Sequence, residues 1–310
     1  MHLVYKIMFF VSIVLVTLAM VVIVIFGLRF GVDFRGGSVL EISFDKERPA
    51  PSELGEVMRK IKGVTDASVS PVGEQGIIIR LNAVDEAAHQ EILEVLSTQY
   101  GKVIENRFDS IGPTVGNELR NKSITAIIVL LVAITGYIAF VFRKLSKVLS
   151  PWAMSVATVV ALLHDVLIPI GVFSLLGRYV GVEVSAVFVA AVLTILGYSV
   201  SDSVVVFDRV RENVLRFGST AKFDILVHRS IMQTLSRSLN TTFTTLLSLI
   251  AIYFFGGESV KYFALALIIG IFLGAYSSIF VASPVLVWWS GRRDETRGDA
   301  RSVAPSKEVG

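Results

Sequence analysis

Six apolar stretches alternate with polar segments along the 310-residue chain. Each stretch has about 20 residues or more, enough for a helix to cross the ~30 Å hydrocarbon core of a bilayer. We therefore predict six membrane spans, over residues 7–28, 123–142, 151–177, 184–207, 238–257 and 262–291. The polar segment of about 30 residues between the fourth and fifth spans is predicted to be a hinge.

Between the first and second spans the pattern becomes that of a water-soluble α+β domain. Alternating apolar positions predict strands over 38–44, 64–72, 76–81 and 103–108, and helical periodicity predicts helices over 51–61 and 85–100. The order βαββαβ is that of the ferredoxin-like fold, in which two helices cover one face of a four-stranded sheet. Because the domain has no acid pair, Ser/His/Asp set or phosphate loop, we predict a binding or moving module rather than an enzyme. Its His89 is predicted to lie on a solvated helix face.

Composition supports an integral membrane protein and excludes several kinds of site. Hydrophobic residues make up 53% of the chain and charged residues 18%. Cysteine is absent and the four histidines lack metal-ligand spacing, so we expect no metal and no bound cofactor. No block of basic residues suggests a nucleic-acid partner.

The distribution of basic residues predicts the orientation in the membrane. The linkers after the second and fourth spans hold nine Lys and Arg against three acids, which places them in the cytoplasm. Six spans then put both termini inside and the α+β domain outside. The predicted plan is an N-terminus with the first helix (1–29), an extracytoplasmic ferredoxin-like domain (30–121), helices two to six (122–291) and a disordered cytoplasmic tail (292–310).

Asp202 is the residue most in need of explanation, because it lies within the fourth span. At 1.5 Å per residue it is about 10 Å inward of Arg209, where an ionised acid costs at least about 3 kcal/mol. Arg237 lies towards the cytoplasmic end of the next span and could face Asp202. Such a pair, closed when ionised and open when protonated, would couple protons to movement. Alternatively, Arg237 extends to the membrane surface, and the polar residues form a static seam between helices.

Further polar residues within the spans predict a wettable path between helices. His164 and Asp165 lie near the middle of the third span; Asp165 is a second proton site, or a partner for His164 or a hydroxyl. The other predicted lining residues are Tyr198, Ser199, Ser201, Asn240, Thr241 and Thr244. Gly270 and Gly274 predict close helix packing in the sixth span.

Three segments together closely resemble the SecF family of protein-export membrane subunits. They are 33–37, which contains Asp33, Phe34, Gly36 and Gly37, then 197–213, and 236–242. The resemblance covers nearly the whole chain, and the short outer domain separates it from SecD. Arg35 departs from it, because SecF usually has threonine there.

The resemblance implies a function without enzymatic activity. With SecD, such a subunit uses the proton-motive force to assist late translocation and release of preproteins across the bacterial cytoplasmic (inner) membrane. It implies SecD, the SecYEG channel, YajC, YidC, the preprotein and membrane lipid as partners. By motif, Asp202 and Arg237 correspond to the family's proton-coupling residues. A passive scaffold that binds polypeptide and a proton-coupled exporter of small molecules are the alternatives, and sodium in place of the proton stays open.

Overall fold

The computed structural model describes residues 3–45, 48–145, 151–218 and 221–290, and they divide into two compact units. The membrane unit consists of the described residues of Met1–Gly27, Ile127–Val182 and Ala190–Gly310. The ferredoxin-like unit consists of Leu28–Ala126 together with Glu183–Val189. The second of these segments leads into the fourth span and includes its first turn, and its association with the α+β domain was not predicted.

The ferredoxin-like unit has the predicted order of elements. After α1 (Leu3–Phe26) come α2 (Val32–Arg35), β1 (Gly37–Phe44), α3 (Pro51–Lys60), β2 (Ala67–Val72), β3 (Gly76–Leu81), α4 (Glu86–Tyr100) and β4 (Val103–Ile111). The strands form one antiparallel sheet in the order β2-β3-β1-β4. The ferredoxin-like prediction is therefore confirmed.

The core of this unit follows from the alternation of apolar residues along β1 and β3. Leu40 and Ile42 of β1 and Ile77 and Ile79 of β3 are fully buried. Each such side chain contributes roughly 1.5–3 kcal/mol relative to exposure. The prediction for His89 is wrong: its ring is buried and stacks on Phe108, with centroids 3.7 Å apart and planes at 2°. The imidazole belongs to the core because a flat ring fills the space above Phe108.

All six predicted spans are helices long and apolar enough to cross a membrane. After α1 they are α5 (Pro113–Val141), α6 (Pro151–Tyr179), α7 (Ala186–Phe217), α8 (Phe223–Phe255) and α9 (Glu258–Ser277), the last continued by a π-helical turn, Ser278–Ala282. A 3₁₀ turn, Phe142–Leu145, follows α5. The predicted tail, 292–310, lies outside the described residues.

The predicted hinge between the fourth and fifth spans is mostly helical, so that prediction is wrong. α7 continues through its charged end because neighbouring side chains pair along the helix, as in the 3.0 Å bond from Arg211 to Asp208. Asn213 of α7 donates to Ser230 Oγ of α8 at 2.8 Å and to Gln233 Oε1 at 2.9 Å. These contacts hold the polar ends of α7 and α8 together as a helical hairpin.

Two glycines allow α9 to pack closely on α7, as predicted. A Cβ at Gly270 would lie 2.2 Å from Ile195 Cδ1, and a Cβ at Gly274 would lie 3.2 Å from Ser199 Cβ. Ile195 and Ser199 are one turn apart on α7, so both contacts lie on one helix face. This close approach places the end of α9 beside the polar residues of α7.

Candidate functional site

Asp165 lies at the centre of a hydrogen-bonded cluster in the membrane unit. Its side chain is 0% exposed. Its Oδ2 accepts hydrogen bonds from Ser199 Oγ of α7 and from Ser277 Oγ at the end of α9, both at 2.6 Å. A buried carboxylate is tolerated only when donors replace its lost hydration. The cluster therefore joins α6, α7 and α9 around one buried acid.

His164 completes this cluster, and only one of its two ring nitrogens has a hydrogen-bond partner among the described residues. Its Nδ1 is 2.8 Å from Asp165 Oδ1, and the tautomer with the proton on Nδ1 is the one that donates to this carboxyl. The ring stacks on Tyr276 with centroids 5.9 Å apart and planes at 19°. Tyr276 is itself held by the 2.7 Å hydrogen bond that its hydroxyl donates to Met8 O. His164 Nε2 is buried and has no hydrogen-bond partner within the described ranges.

Asp202 is half-buried on α7, and its carboxyl contacts Ser278, the residue after Ser277. Ser278 Oγ donates a hydrogen bond to Asp202 Oδ2. Ser238 of α8 is buried beside the same carboxyl, although its hydroxyl has no hydrogen bond of normal geometry in the part of the chain described. Consecutive serines thus contact the two intramembrane acids, Ser277 on Asp165 and Ser278 on Asp202.

The helix changes its winding at these serines. The turn Ser278–Ala282 is π-helical, and Ser283 Oγ donates to Ser278 O at 2.9 Å. Single π turns within α-helices occur often at functional sites, since one extra residue per turn alters which side chains face a neighbour. Here the change of winding begins at the residue that contacts Asp202.

Arg237 is not brought to Asp202. The arginine is exposed on α8, and the two residues form no ion pair in the described structure. Ser238, the next residue, is the one that faces Asp202, and successive residues on a helix differ in direction by about 100°. The predicted ion pair therefore stays a hypothesis about another arrangement of α7 and α8.

The remaining predicted lining residues fall into two groups. Ser199 lies in the Asp165 cluster, and the Tyr198 hydroxyl donates to Thr242 Oγ1 of α8 at 3.4 Å. The others are exposed, namely Ser201, Asn240, Thr241 and Thr244. These four residues therefore do not line a path enclosed within this chain.

The segment 33–37 forms a compact junction within the ferredoxin-like unit. Asp33 Oδ2 accepts a 2.7 Å hydrogen bond from the backbone N of Ala186, the first residue of α7, and Phe34 is buried. Gly36 has φ +78°, and a Cβ there would lie 2.7 Å from Pro113 Cα. Gly37 has φ +131° and equally little space. Both glycines are therefore required by conformation and by packing.

The described residues contain no group of three or more His, Cys, Asp or Glu side chains placed to hold a metal ion. The intramembrane polar groups are carboxyls, hydroxyls and an imidazole. What they can do chemically is bind, hold and release protons.

Sequence reasoning missed Ser277 and Ser278, which contact both acids. The available signal was the hydroxyl run at 276–278 in a span that is otherwise apolar, one turn after Gly274. A hydroxyl in a membrane helix is a weak signal of a site, because it can donate to a carbonyl of its own helix. Ser277 Oγ also lies 3.2 Å from Gly274 O in this way. The second partners of Ser277 and Ser278 depend on the packing of α9.

Family comparisons match almost the whole chain. Residues 92–292 match the family described as protein export membrane protein SecD/SecF, C-terminal, and residues 21–47 match the SecD/SecF GG motif. Protein translocase subunit SecF of Thermobaculum terrenum is 41% identical over 92% of this chain and 92% of its own length. The SecF subunit of Anaerolinea thermophila is 37% identical over 91% of each chain.

A solved structure agrees in fold. The crystal structure of SecDF, a translocon-associated membrane protein from Thermus thermophilus, superposes with a TM-score of 0.80 at 34% identity. The match covers 93% of this chain but only 38% of the SecDF chain. Sequence, fold and the junction at 33–37 lead to one conclusion: this chain belongs to the SecF family of protein translocase subunits.

Proposed function

We propose that this chain, together with SecD, uses the proton-motive force to assist late translocation and release of preproteins across the bacterial cytoplasmic membrane. Membership in a family of protein export subunits supports the transport role. The observation that carries the coupling is Asp202, a half-buried carboxyl within a membrane helix whose hydrogen-bond partner is a neutral hydroxyl.

Asp202 has the properties that reversible protonation requires. No cation neutralises it among the described residues, and its neighbours there are the neutral hydroxyls of Ser278 and Ser238. Its partial exposure leaves a route for protons. Its charge state therefore decides how favourably α7 packs against its neighbours.

Arg237 is proposed to act in the other arrangement of the site. In the described state its neighbour Ser238 is the residue that faces Asp202. Rotation of α8 about its axis would bring the guanidinium towards an ionised Asp202. Protonation of Asp202 would break that pair and favour the contact with Ser278.

The exposed polar face of α8 supports SecD as a direct partner. Arg237, Asn240, Thr241 and Thr244 share this face of a helix that crosses the membrane. An arginine facing lipid is costly, so a partner helix is expected to cover this face. SecD is the partner proposed here, because relatives exist as single SecDF chains.

We infer that the ferredoxin-like unit lies outside the cytoplasmic membrane, that both termini lie inside, and that this unit contacts the emerging preprotein. The distribution of basic residues supports this orientation. SecYEG is the proposed channel, with YajC and YidC in a wider assembly. The energy is sufficient, because one charge crossing 100 mV supplies about 2.3 kcal/mol and several crossings can drive a domain movement.

The test compares preprotein export into vesicles that contain this chain with SecD, with and without a proton gradient. Asp202→Asn keeps size and hydrogen bonding but removes the charge, and we expect the gradient to stop stimulating export. Asp208→Asn is the matched control, since Asp208 lies on the same helix but is exposed and pairs with Arg211. Its stimulation should equal that of the wild type.

Equal stimulation of wild type and Asp202→Asn would refute the coupling role. Export that the gradient does not stimulate even in the wild type, and that is insensitive to an uncoupler, would favour the passive scaffold. Loss of gradient-dependent drug efflux from the same vesicles, with export unchanged, would instead favour a small-molecule exporter.

A further inference from the structure

We propose that His164 and Asp165 form a second proton-binding site, with His164 Nε2 as the atom that takes up the proton, and that its occupancy is linked to Asp202 through Ser277 and Ser278. The inference deepens the proposed function and rests on it for its role in transport. The site itself is argued from the geometry of the membrane unit.

The hydrogen bonds around Asp165 indicate the charge of the cluster. Two serine hydroxyls donate to Asp165 Oδ2, and such donors favour the carboxylate form. With a neutral imidazole the cluster carries one negative charge at a position that is fully buried. One added proton converts it into a neutral imidazolium–carboxylate pair.

Nε2 of His164 is the atom that accepts the proton. In the tautomer that donates to Asp165, His164 Nδ1 already carries a proton. Nε2 is then the basic nitrogen, and it is buried without a partner within the described ranges. In this buried cluster a proton at Nε2 would neutralise the net charge, and an uncompensated buried charge is costly.

Two consecutive serines link the cluster to Asp202. Ser277 donates to Asp165 and Ser278 donates to Asp202, and the two serines are consecutive. Any rotation that moves Ser278 away from Asp202 also moves Ser277 relative to Asp165. The π turn that begins at Ser278 is an element whose winding can change locally.

The titratable groups around the imidazole are few. Asp165 faces it from α6 and Tyr276 stacks on it from α9. Asp202 on α7 is close enough to Asp165 for the two carboxyls to interact electrostatically. α1 contributes the neutral Ser12, whose hydroxyl donates to the Tyr276 hydroxyl at 3.2 Å.

The test observes the histidine directly. The chain has four histidines, so ¹⁵N-histidine labelling of the whole protein in lipid bilayers gives few NMR signals, and His164→Asn assigns one of them. We expect Nε2 of His164 to gain a proton as the pH falls, while Nδ1 stays protonated throughout. If His164→Asn does not fold, separate substitutions of His2, His89 and His228 assign the signal by elimination.

The link predicts which substitutions change this titration. Asp202→Asn should shift its midpoint, and Ser277→Ala should reduce that shift. Asp208→Asn should leave the midpoint unchanged. An Nε2 that never titrates, or a midpoint indifferent to Asp202→Asn, would overturn the inference.

The outcomes separate this inference from the proposed function. If Nε2 titrates with a midpoint that depends on Asp202, yet Asp202→Asn retains gradient-driven export, the second site stands and the transport function fails. If Asp202→Asn abolishes the stimulation while His164 does not titrate, the reverse holds.

Discussion

Removing the Asp33 carboxylate should loosen the start of α7, the helix that carries Asp202. Asp33→Ala deletes the acceptor that lies 2.7 Å from the backbone N of Ala186. Ser185 also contributes at this helix start, but its Oγ accepts from Phe188 N at 3.4 Å and cannot replace Asp33. We therefore expect the first turn to lose its stronger cap.

The cost follows from two effects at the helix start. Loss of a capping acceptor costs about 1 kcal/mol, and loss of a negative charge near the positive end of the helix dipole costs about 0.3–1 kcal/mol. A total of about 1–2 kcal/mol corresponds to roughly a 5–30-fold change in a local opening equilibrium. The backbone amides at 186–188 should exchange hydrogen faster by that factor.

The assay is hydrogen exchange of the whole chain in lipid nanodiscs, followed by mass spectrometry of peptides that cover 183–189. Asp33→Asn keeps an acceptor and should give the smaller effect. Arg35→Ala changes an exposed side chain of the same short helix and is the matched control. Equal exchange in Asp33→Ala and wild type would refute the capping argument, and equal acceleration in Arg35→Ala would show that α2 as a whole had been disturbed.

Two further predictions concern titration and packing. Burial, and then the hydrogen bond donated to Glu53 Oε1, raise the pKa of Tyr100 from 10.0 to about 12, so its stabilising contribution is complete below about pH 10 and is lost as the pH rises through about 12. The phenolate ultraviolet absorbance that Tyr100→Phe removes should appear only near that pH, and at lower pH in Glu53→Gln; appearance at ordinary tyrosine pH in both proteins would contradict this. Gly270→Val would place side-chain carbons against Ile195, and we expect overpacking to cost about 1–3 kcal/mol. Thermal inactivation of the protein in bilayers measures that cost, and Gly136→Val, where a Cβ meets open space, should show no comparable loss.

Hydrophobic periodicity predicted the elements well because burial is the dominant constraint on each of them. Leu40 and Ile42 alternate with half-buried residues along β1, so the sequence pattern and the sheet agree. The helical end of α7 was not predicted, because polar contacts rather than burial support it. A span ends at the first charged residues, but a helix continues wherever pairs such as Asp208–Arg211 and contacts such as Asn213–Ser230 support it.

The site was only partly predictable because its acids and their partners carry different signals. Asp165 and Asp202 are conspicuous in apolar spans, since each is costly there. Ser277 and Ser278 are not conspicuous, because a hydroxyl costs little in a membrane helix. Which serine meets which acid depends on packing more than 70 residues away along the chain, as does the bond from Ala186 to Asp33.

The helical hairpin at the polar ends of α7 and α8 is long and stiff enough to transmit a tilt of α7. From Asp202 to Phe217 the helix rises about 22 Å, and the bonds from Asn213 to α8 stiffen its far part. A tilt of about 10° at the level of Asp202 would therefore displace the tip by about 4 Å. A flexible hinge would absorb such a tilt, whereas this hairpin would transmit it to the tip. A change at the Asp202 carboxyl would then displace any partner bound at the tip.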